Sequence, residues 1–551
     1  MILEDTKKSV VNLFLENGLL ISPDIFLNLD DINQKEIEEK IENKKFGKEK
    51  PVIINKDIFS LIYGGEISLD INWYEFDKAK TNLEKGRVDK SYNLFLDILN
   101  YGKKDNDSIN ILINEIKEDK KEIIIEEEKD KQYNVVVLKS YFDKQRERGV
   151  SDFSLYYNNR YNSLKKMLLN RPELILSTSI SRILNKNQKE EATIMGMVYD
   201  KVISKNNHII LTLEDPTGKI NILISKTKMD IYNQAKDITL DEVVGIVGTL
   251  GDKIIFANKI FFPDIQQNTN IKYSPDEVYC AFISDIHVGS RLFLEKEFDK
   301  FIEWINGNIG SAQQKQEALK IKYLFVVGDT VDGVGIYPDQ ENELIIKDVK
   351  MQYKELYNLL DKIRKDVNII ICCGQHDAVR LSEPQPPLNK TFSEPIYNLK
   401  NAFLVSNPSL VNIHSSRGFE GFNILMYHGA SFHYYIDHIE SLRLADSRDN
   451  PHNILKYLLT KRHLAPSHGS TLFVPDVDYD PLVIERVPDV FVCGDMHRSD
   501  IFRYKDIILI NCSCWQAKTA FQEKTGNNPD PGKVPILNLK TREVKVIKFI
   551  E

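Results

Sequence analysis

The sequence predicts an α/β layered body over its second half, preceded by a small β-barrel and a helical start. Three observations predict it. After Pro275, apolar strand-like runs alternate with helical patterns, as they do where helices pack on a sheet. Five short β-rich runs crowd into residues 191–265, with one short helical run among them. Ten of the eleven histidines and all six cysteines lie at or beyond Cys280; only His208 precedes it. The layered half is therefore chemically distinct from the rest.

The chain has 551 residues, 42% hydrophobic and 28% charged. At roughly 100–200 residues per domain it should form three or four domains with sizeable cores. This composition excludes global disorder. No apolar run approaches the ~20 residues of a membrane span. The start, MILEDTKKSVVNLF, lacks the basic region and small-residue cleavage site of a signal peptide, so a cytoplasmic location is expected. A net charge of −8 rules out a nucleic-acid coat. It leaves DNA binding open, because a local basic groove or bound cations can supply a positive field. There is no CxxC pair. Cys372–Cys373 and Cys493 sit in apolar runs and are expected as buried free thiols.

Residues 1–45 read as a helical interaction module. Val10, Leu13, Phe14 and Leu19 line one face, and Ser22-Pro23 offers a cap and a first-turn proline. Residues 46–150 read as a charged, partly disordered linker, densest in mixed charge from Lys103 to Lys131. A helical lead-in follows over 151–190, carried by SLYYNNRYNSLKKMLL. In residues 191–270 come ATIMGMVYDKV, HIILTLED, INILIS, EVVGIVGTL and DKIIFANKI. Asp215-Pro216-Thr217-Gly218 marks a turn, and a helical run from Lys228 to Ala235 separates the third strand from the fourth. That order suggests an OB-type barrel. Its strands are aliphatic, which favours packing or partner binding over independent DNA binding.

The layered domain, 276–551, carries the chemistry. VYCAFIS is followed by Asp285-Ile286-His287, and YLFVV by Gly328-Asp329-Thr330-Val331-Asp332. NIIICC leads to Gly374-Gln375-His376-Asp377, NILMY to His428-Gly429, and DVFVC to Gly494-Asp495-Met496-His497. Each element alone is weak. Together, five strands end in metal-ligand residue types, and in open α/β sheets such ends converge on one site. Carboxylates and imidazoles of this kind suit two divalent cations about 3.5–4 Å apart, which grip a phosphate and generate hydroxide at neutral pH. One carboxylate must bridge the cations, and Asp329 fits that role.

The order DxH, GDxxD, GxHD, HG, GxxH resembles the calcineurin-like metallophosphoesterases. The runs GDTVDGVGIYPDQ, GQHDAVRLSEPQPP, RHLAPSHG, VPDVFVCGDMHRSD and CWQAKTAFQEKTGNNPDPGKVPILNL further resemble the small subunits of archaeal family D DNA polymerases. The likeness covers most of residues 151–551 and little of the first 150. It implies a layered β-sandwich flanked by helices, an OB-fold barrel before it, and a two-metal 3′–5′ exonuclease that proofreads for a large polymerising subunit. By motif, Asp285, His287, Asp329 and His497 would hold one cation, and Asp329, Gln375, His428 and Asp495 the other. His376 would face the scissile phosphate, and Asp377 would orient it. Asp332 is expected as a turn carboxylate. The superfamily usually has Asn at Gln375 and His at Asp495; the two oxygen donors here favour Mn²⁺, with Mg²⁺ as the other candidate. Arg380 and Arg498 are the candidates for DNA phosphate contacts, ahead of Arg417 and Arg462. His433, His438, His452, His463 and His468 are expected as surface or supporting side chains. The alternatives are a catalytically inert scaffold that stabilises the large subunit, and a free-standing phosphoesterase.

Overall fold

The computed structural model describes Leu20–Ile21, Ile53–Ile54 and residues 134–142, 146–186, 189–266 and 271–550. The chain divides into two compact units, Met1–Asp130 and Lys131–Glu551. In the first, strand β1 (Leu20–Ile21) pairs in parallel with β2 (Ile53–Ile54). The predicted helical module of 1–45, with its face of Val10, Leu13, Phe14 and Leu19, otherwise lies outside the described residues. So does the charged run from Lys103 to Lys131. No helix among the described residues is long and apolar enough to cross a membrane.

The linker expected to run to residue 150 ends sooner. Val135–Ser140 forms strand β3, because three consecutive valines suit a pleated, half-buried surface. Helix α1 (Val150–Leu168) then buries Tyr156, Arg160, Tyr161, Leu164 and Leu168, spaced so that they share one face. Asp152 accepts a bond from Gly149 N at 2.8 Å and so caps its first turn. A short helix α2 (Ile180–Leu184) leads into the barrel.

The barrel consists of β4 (Glu191–Ile203), β5 (Ile209–Asp215), β6 (Gly218–Ile224), helix α3 (Met229–Lys236), β7 (Val243–Leu250) and β8 (Ile254–Phe261). It closes in the order β4-β5-β6-β8-β7, with β6 and β8 parallel. Five strands with a helix between the third and fourth are the OB arrangement the sequence predicts. The turn after β5 is tied by Asp215, whose Oδ1 accepts from Thr217 N at 2.7 Å. Ile194, Leu211, Leu213, Ile222 and Ile246 fill the interior.

Two six-stranded sheets follow. Their strands are β9 (Tyr279–Ile283), β10 (Ile321–Val327), β11 (Asn368–Cys372), β12 (Ala402–Leu404), β13 (Ser409–Ile413), β14 (Phe422–Met426), β15 (Val490–Cys493), β16 (Asp500–Tyr504), β17 (Ile507–Asn511), β18 (Lys533–Asn538) and β19 (Val544–Lys548). One sheet runs β12-β11-β10-β9-β18-β19 and the other β16-β17-β15-β14-β13-β3. Between them pack Cys280, Phe282, Phe325 and Val327 from one side and Val411, Ile424, Met426 and Val492 from the other. The alternate residues face outward. Ala281, Ile283, Leu324 and Val326 meet helices α4 (Glu295–Ile305), α5 (Ala312–Leu319) and α6 (Val349–Asp361). Leu425, Phe491 and Leu509 meet α7 (Phe432–His438) and α8 (His452–Lys461). Burial on both faces is why these strands read as continuous apolar runs rather than alternating ones. All six cysteines are free and buried in this body, as expected.

Buried polar groups join the barrel and α1 to the sandwich. Glu242, at the foot of β7, takes Lys461 Nζ at 2.7 Å and Tyr457 Oη at 2.7 Å, both from α8. Arg160 of α1 places Nε 2.7 Å from Asp480 Oδ2, which also receives His463 Nε2 at 2.8 Å.

Candidate metal centre

The five loops predicted to converge do so. They leave β9, β10, β11, β14 and β15, so the centre lies across the ends of both sheets. His497 Nε2 is 3.3 Å from Asp285 Oδ1 and 3.3 Å from His287 Nε2. His428 Nε2 is 3.2 Å from Asp329 Oδ2, 3.9 Å from Asp285 Oδ1 and 4.0 Å from Asp495 Oδ1. Gln375 Nε2 reaches Asp495 Oδ1 at 3.2 Å. Asp285–His287–His497 and Asp285–Asp329–His428 each bring three potential ligand atoms within 4.8 Å of one another.

The backbone is bent to achieve this. Asp285, His287, Asp329, Asp495 and His497 all have left-handed φ, between 47° and 68°. Such conformations cost of order 1–3 kcal/mol each and gather at functional sites. Cross-loop bonds hold them: Asp285 N to Gly328 O at 3.1 Å, His287 N to Asp329 O at 3.1 Å, and Asp495 N to Asp285 Oδ2 at 3.1 Å. Gly374 is required by crowding, since a Cβ there would lie 2.2 Å from Asp329 Oδ1.

Each imidazole is fixed by its outer nitrogen. His287 Nδ1 sits 3.0 Å from Asp332 Oδ1, His428 Nδ1 2.8 Å from Val327 O, and His497 Nδ1 2.9 Å from the Gln522 amide. All three turn Nε2 inward; for His287 and His428, whose Nδ1 faces an oxygen acceptor, this is the arrangement found in metal-bound histidines, whereas His497 Nδ1 accepts from the Gln522 amide. Asp332 does more than the turn role expected of it, since its carboxylate sets the tautomer of His287.

His376 stands at the open edge of this cluster. Its backbone N donates to Asp329 Oδ1 at 2.8 Å, its Nδ1 lies 2.8 Å from Asp332 O, and its Nε2 is 4.0 Å from Asp329 Oδ2. The expectation that Asp377 orients this ring is corrected. Asp377 turns back into its own loop, accepting from Gly374 N at 2.9 Å, from Tyr353 Oη at 3.2 Å and from Thr330 Oγ1. Side-chain direction decides this: the carbonyl of Asp332, not the neighbouring carboxylate, meets Nδ1. Burial and the nearby Asp329 charge push Asp377 up to about 6.

Four of the predicted ligands end in buried atoms without a hydrogen-bond partner: Asp285 Oδ1, Gln375 Oε1, His428 Nε2 and Asp495 Oδ2. An unsatisfied buried polar atom costs about 1–3 kcal/mol, a cost that a bound cation would offset. Carboxylate and amide oxygens with imidazole nitrogens are the donor set of a hard-to-borderline divalent cation. Electrostatics point the same way. Burial alone would raise the Asp329 carboxyl, but His428 and His376 hold it well below the usual carboxylate range. Burial disfavours charge on His428, yet Asp329, Asp285 and Asp495 together keep its pKa well above the ordinary imidazole value.

One of the histidines expected as surface or supporting side chains lies beside the centre. His433, on α7, places Nε2 3.6 Å from Asp495 Oδ2. It lies between motifs in the chain, and only the fold of the loop after β14 brings it to the centre. The two predicted phosphate contacts are engaged elsewhere. Arg380 binds Ser382 O at 3.2 Å and Pro384 O at 2.7 Å and lies over the Tyr141 ring. Arg498 binds Asn528 O at 3.1 Å beside Asp449.

Behind the centre, Glu383 is fully buried and accepts from Tyr427 Oη at 3.1 Å. Burial raises it from 4.5 to about 8. The folded state then holds a proton that the unfolded state has lost, so stability falls as pH rises between those two values. Glu383→Gln is expected to flatten this dependence and to stabilise the protein at pH 8 relative to pH 5. Urea unfolding at both pH values measures it. An unchanged pH slope in the variant would remove Glu383 as its source.

Comparisons with known proteins follow the two halves of this architecture. A family model for the B-type subunits of DNA polymerases alpha and epsilon matches residues 280–501. One described as OB-fold nucleic acid binding domain matches residues 192–259. The chain is 39% identical over 389 residues to the DNA polymerase II small subunit of Methanothermobacter thermautotrophicus, covering 71% of this chain and 78% of that protein. Against the protein of the same name in Archaeoglobus fulgidus it is 36% identical, covering 70% and 75%. Against that of Pyrococcus abyssi it is 37% identical, covering 74% of this chain and 64% of that one.

Proposed function

The chain belongs to the archaeal DNA polymerase II small-subunit family, and we propose that within such a polymerase it removes nucleotides from 3′ ends by metal-dependent phosphodiester hydrolysis. The carrying observation is the set of four buried ligand atoms without a hydrogen-bond partner, in a centre where His376 Nε2 lies 4.0 Å from Asp329 Oδ2. Its partners would be a large polymerising subunit and DNA with an unpaired 3′ terminus.

Asp285, His287, Asp329 and His497 would hold one divalent cation, and Asp329, Gln375, His428 and Asp495 the other, with Mn²⁺ the best match to this donor set. When bound, such a pair neutralises phosphate charge and supplies hydroxide at neutral pH. His376 does the rest of the proton work. Asp332 O can only accept, so Nδ1 carries a proton. A second proton on Nε2 makes the ring cationic, able to pair with a phosphate oxygen or to protonate the leaving 3′ oxygen. The Asp329 carboxylate faces that nitrogen from 4.0 Å. Asp377 supports the ring indirectly, by fixing the turn that carries it.

An inert scaffold would have no use for five left-handed backbones and unpartnered buried ligands at one point. The test is degradation of end-labelled single-stranded and mismatched-primer DNA with Mn²⁺, beside His376→Ala. The wild type should shorten DNA from the 3′ end, and the variant should be slower by about 10²–10⁴. No degradation by the wild type, even with the large subunit added, would leave the scaffold reading standing.

A further inference from the structure

We propose that the loop after β10 seats the terminal nucleobase, with Tyr337 as a specificity-determining residue that selects unpaired 3′ ends. The inference rests on the nuclease reading above and deepens it.

Val334, Ile336 and Tyr337 are 44%, 37% and 37% exposed. They form an apolar shelf directly beside the reactive edge of the centre. The Tyr337 ring centroid lies 6.3 Å from that of His376, with the planes inclined at 65°. This is no slack loop that happens to expose apolar groups. Gln340 is buried, accepts from Ile336 N at 2.9 Å and donates to Asp332 O at 2.8 Å. Gln352 clamps Gly333 from both sides, with Gly333 N donating to its Oε1 at 2.9 Å and its Nε2 donating to Gly333 O at 3.0 Å. Tyr337 Oη donates to Glu343 Oε2 at 2.9 Å. Gly333 and Gly335 take left-handed φ of 74° and 76°. A Cβ on Gly333 would sit 2.3 Å from His376 O. The loop is thus pressed onto the backbone of His376, and its exposed apolar residues are held in place.

The chemistry of the loop selects its occupant. Residues 333–337 read Gly-Val-Gly-Ile-Tyr and carry no charge, and Asp339, Glu341 and Glu343 follow. Acidic flanks repel a phosphate backbone, and the sugar is polar. The apolar part of a nucleotide is the face of its base. A base whose phosphate reaches His376 has Tyr337 next to it. Stacking on a ring tolerates any base, so the shelf reads whether the terminal base is free, not which base it is. A paired base stays in the duplex stack and must be pulled out first.

Two measurements on the full chain test this. The first is binding of 5′-labelled single strands in EDTA, ending either in a normal nucleotide or in an abasic one. Wild type should prefer the base-bearing end by about tenfold. Tyr337→Ala should bind both alike, and Tyr337→Phe should keep the preference. The second is the hydrolysis ratio of mismatched to paired primer ends with Mn²⁺, which should fall by about the same factor in Tyr337→Ala. Equal binding of both ends by wild type, or an unchanged preference in Tyr337→Ala, overturns the shelf. A wild type that keeps the binding preference but hydrolyses nothing overturns the nuclease reading and leaves the shelf intact.

Discussion

Asp329→Asn is expected to remove Mn²⁺ binding at both positions of the centre and to take hydrolysis below detection, while the protein stays folded. Asp329 is the carboxylate assigned above to both cations, and it lies in the cluster with Asp285 and His428, Asp285 being the carboxylate that also joins His287 and His497. Asp329 Oδ2 faces His428 at 3.2 Å and His376 at 4.0 Å, and its Oδ1 anchors His376 N at 2.8 Å. Asparagine keeps an acceptor for that backbone bond and tolerates the left-handed conformation of φ 47°. It loses the negative charge that would bridge two cations. Losing a group that merely orients a ligand costs 10–100-fold in metal affinity, so losing a shared ligand should cost more than about 100-fold. Titration calorimetry with Mn²⁺ reads the stoichiometry, and circular dichroism checks the fold. Two cations bound within a few-fold of the wild-type affinity would dismiss Asp329 as the bridge.

Asp480→Ala should do the reverse, damaging stability while sparing the chemistry. Asp480 is buried between Arg160 Nε at 2.7 Å and His463 Nε2 at 2.8 Å, and its Oδ1 caps Leu482 N at 2.9 Å. Those partners outweigh burial and hold its carboxyl well below the usual range. Burial and the Arg160 charge meanwhile press His463 down to about 4. His463 is thus neutral at pH 7, and the charge balance rests on Arg160 and Asp480. Removing the carboxylate strands a buried guanidinium, which costs about 3–5 kcal/mol. The urea midpoint should drop accordingly, with hydrolysis per folded molecule unchanged. A midpoint within experimental error of wild type would mean that water or backbone carbonyls already satisfy Arg160.

Much of this is legible in the sequence, for identifiable reasons. The sandwich strands announce themselves because both faces are buried. The ligands are readable because each follows such a strand by one to four residues, where chain direction alone brings them together. What sequence does not supply is side-chain direction and contact between distant segments. Asp377 is adjacent to His376 yet faces away, whereas Asp332 meets His376 through a carbonyl that no residue type reveals. Arg380 reads as a guanidinium available to phosphate, but the Ser382–Pro384 backbone uses it. His433 sits on a helix between motifs, with nothing local to mark it. Val135–Ser140 is only partly buried and lies close to a charged run, so it does not stand out as a strand.

That strand has a consequence for how the chain is made. Among the described residues β3 pairs with β13 alone, with Val135 opposite Ile413, and the whole barrel is threaded between them. The barrel is thus an insertion, sitting inside the sequence of the sandwich it leans on. A growing chain releases β3 first, then everything needed to close the barrel, and only much later the strand β3 must join. Its apolar edge waits unpaired throughout, which is the condition under which nascent strands associate with the wrong neighbour. Truncations intended to isolate the sandwich should therefore begin ahead of Asn134. A cut at the start of the barrel would leave the second sheet with an open edge at β13.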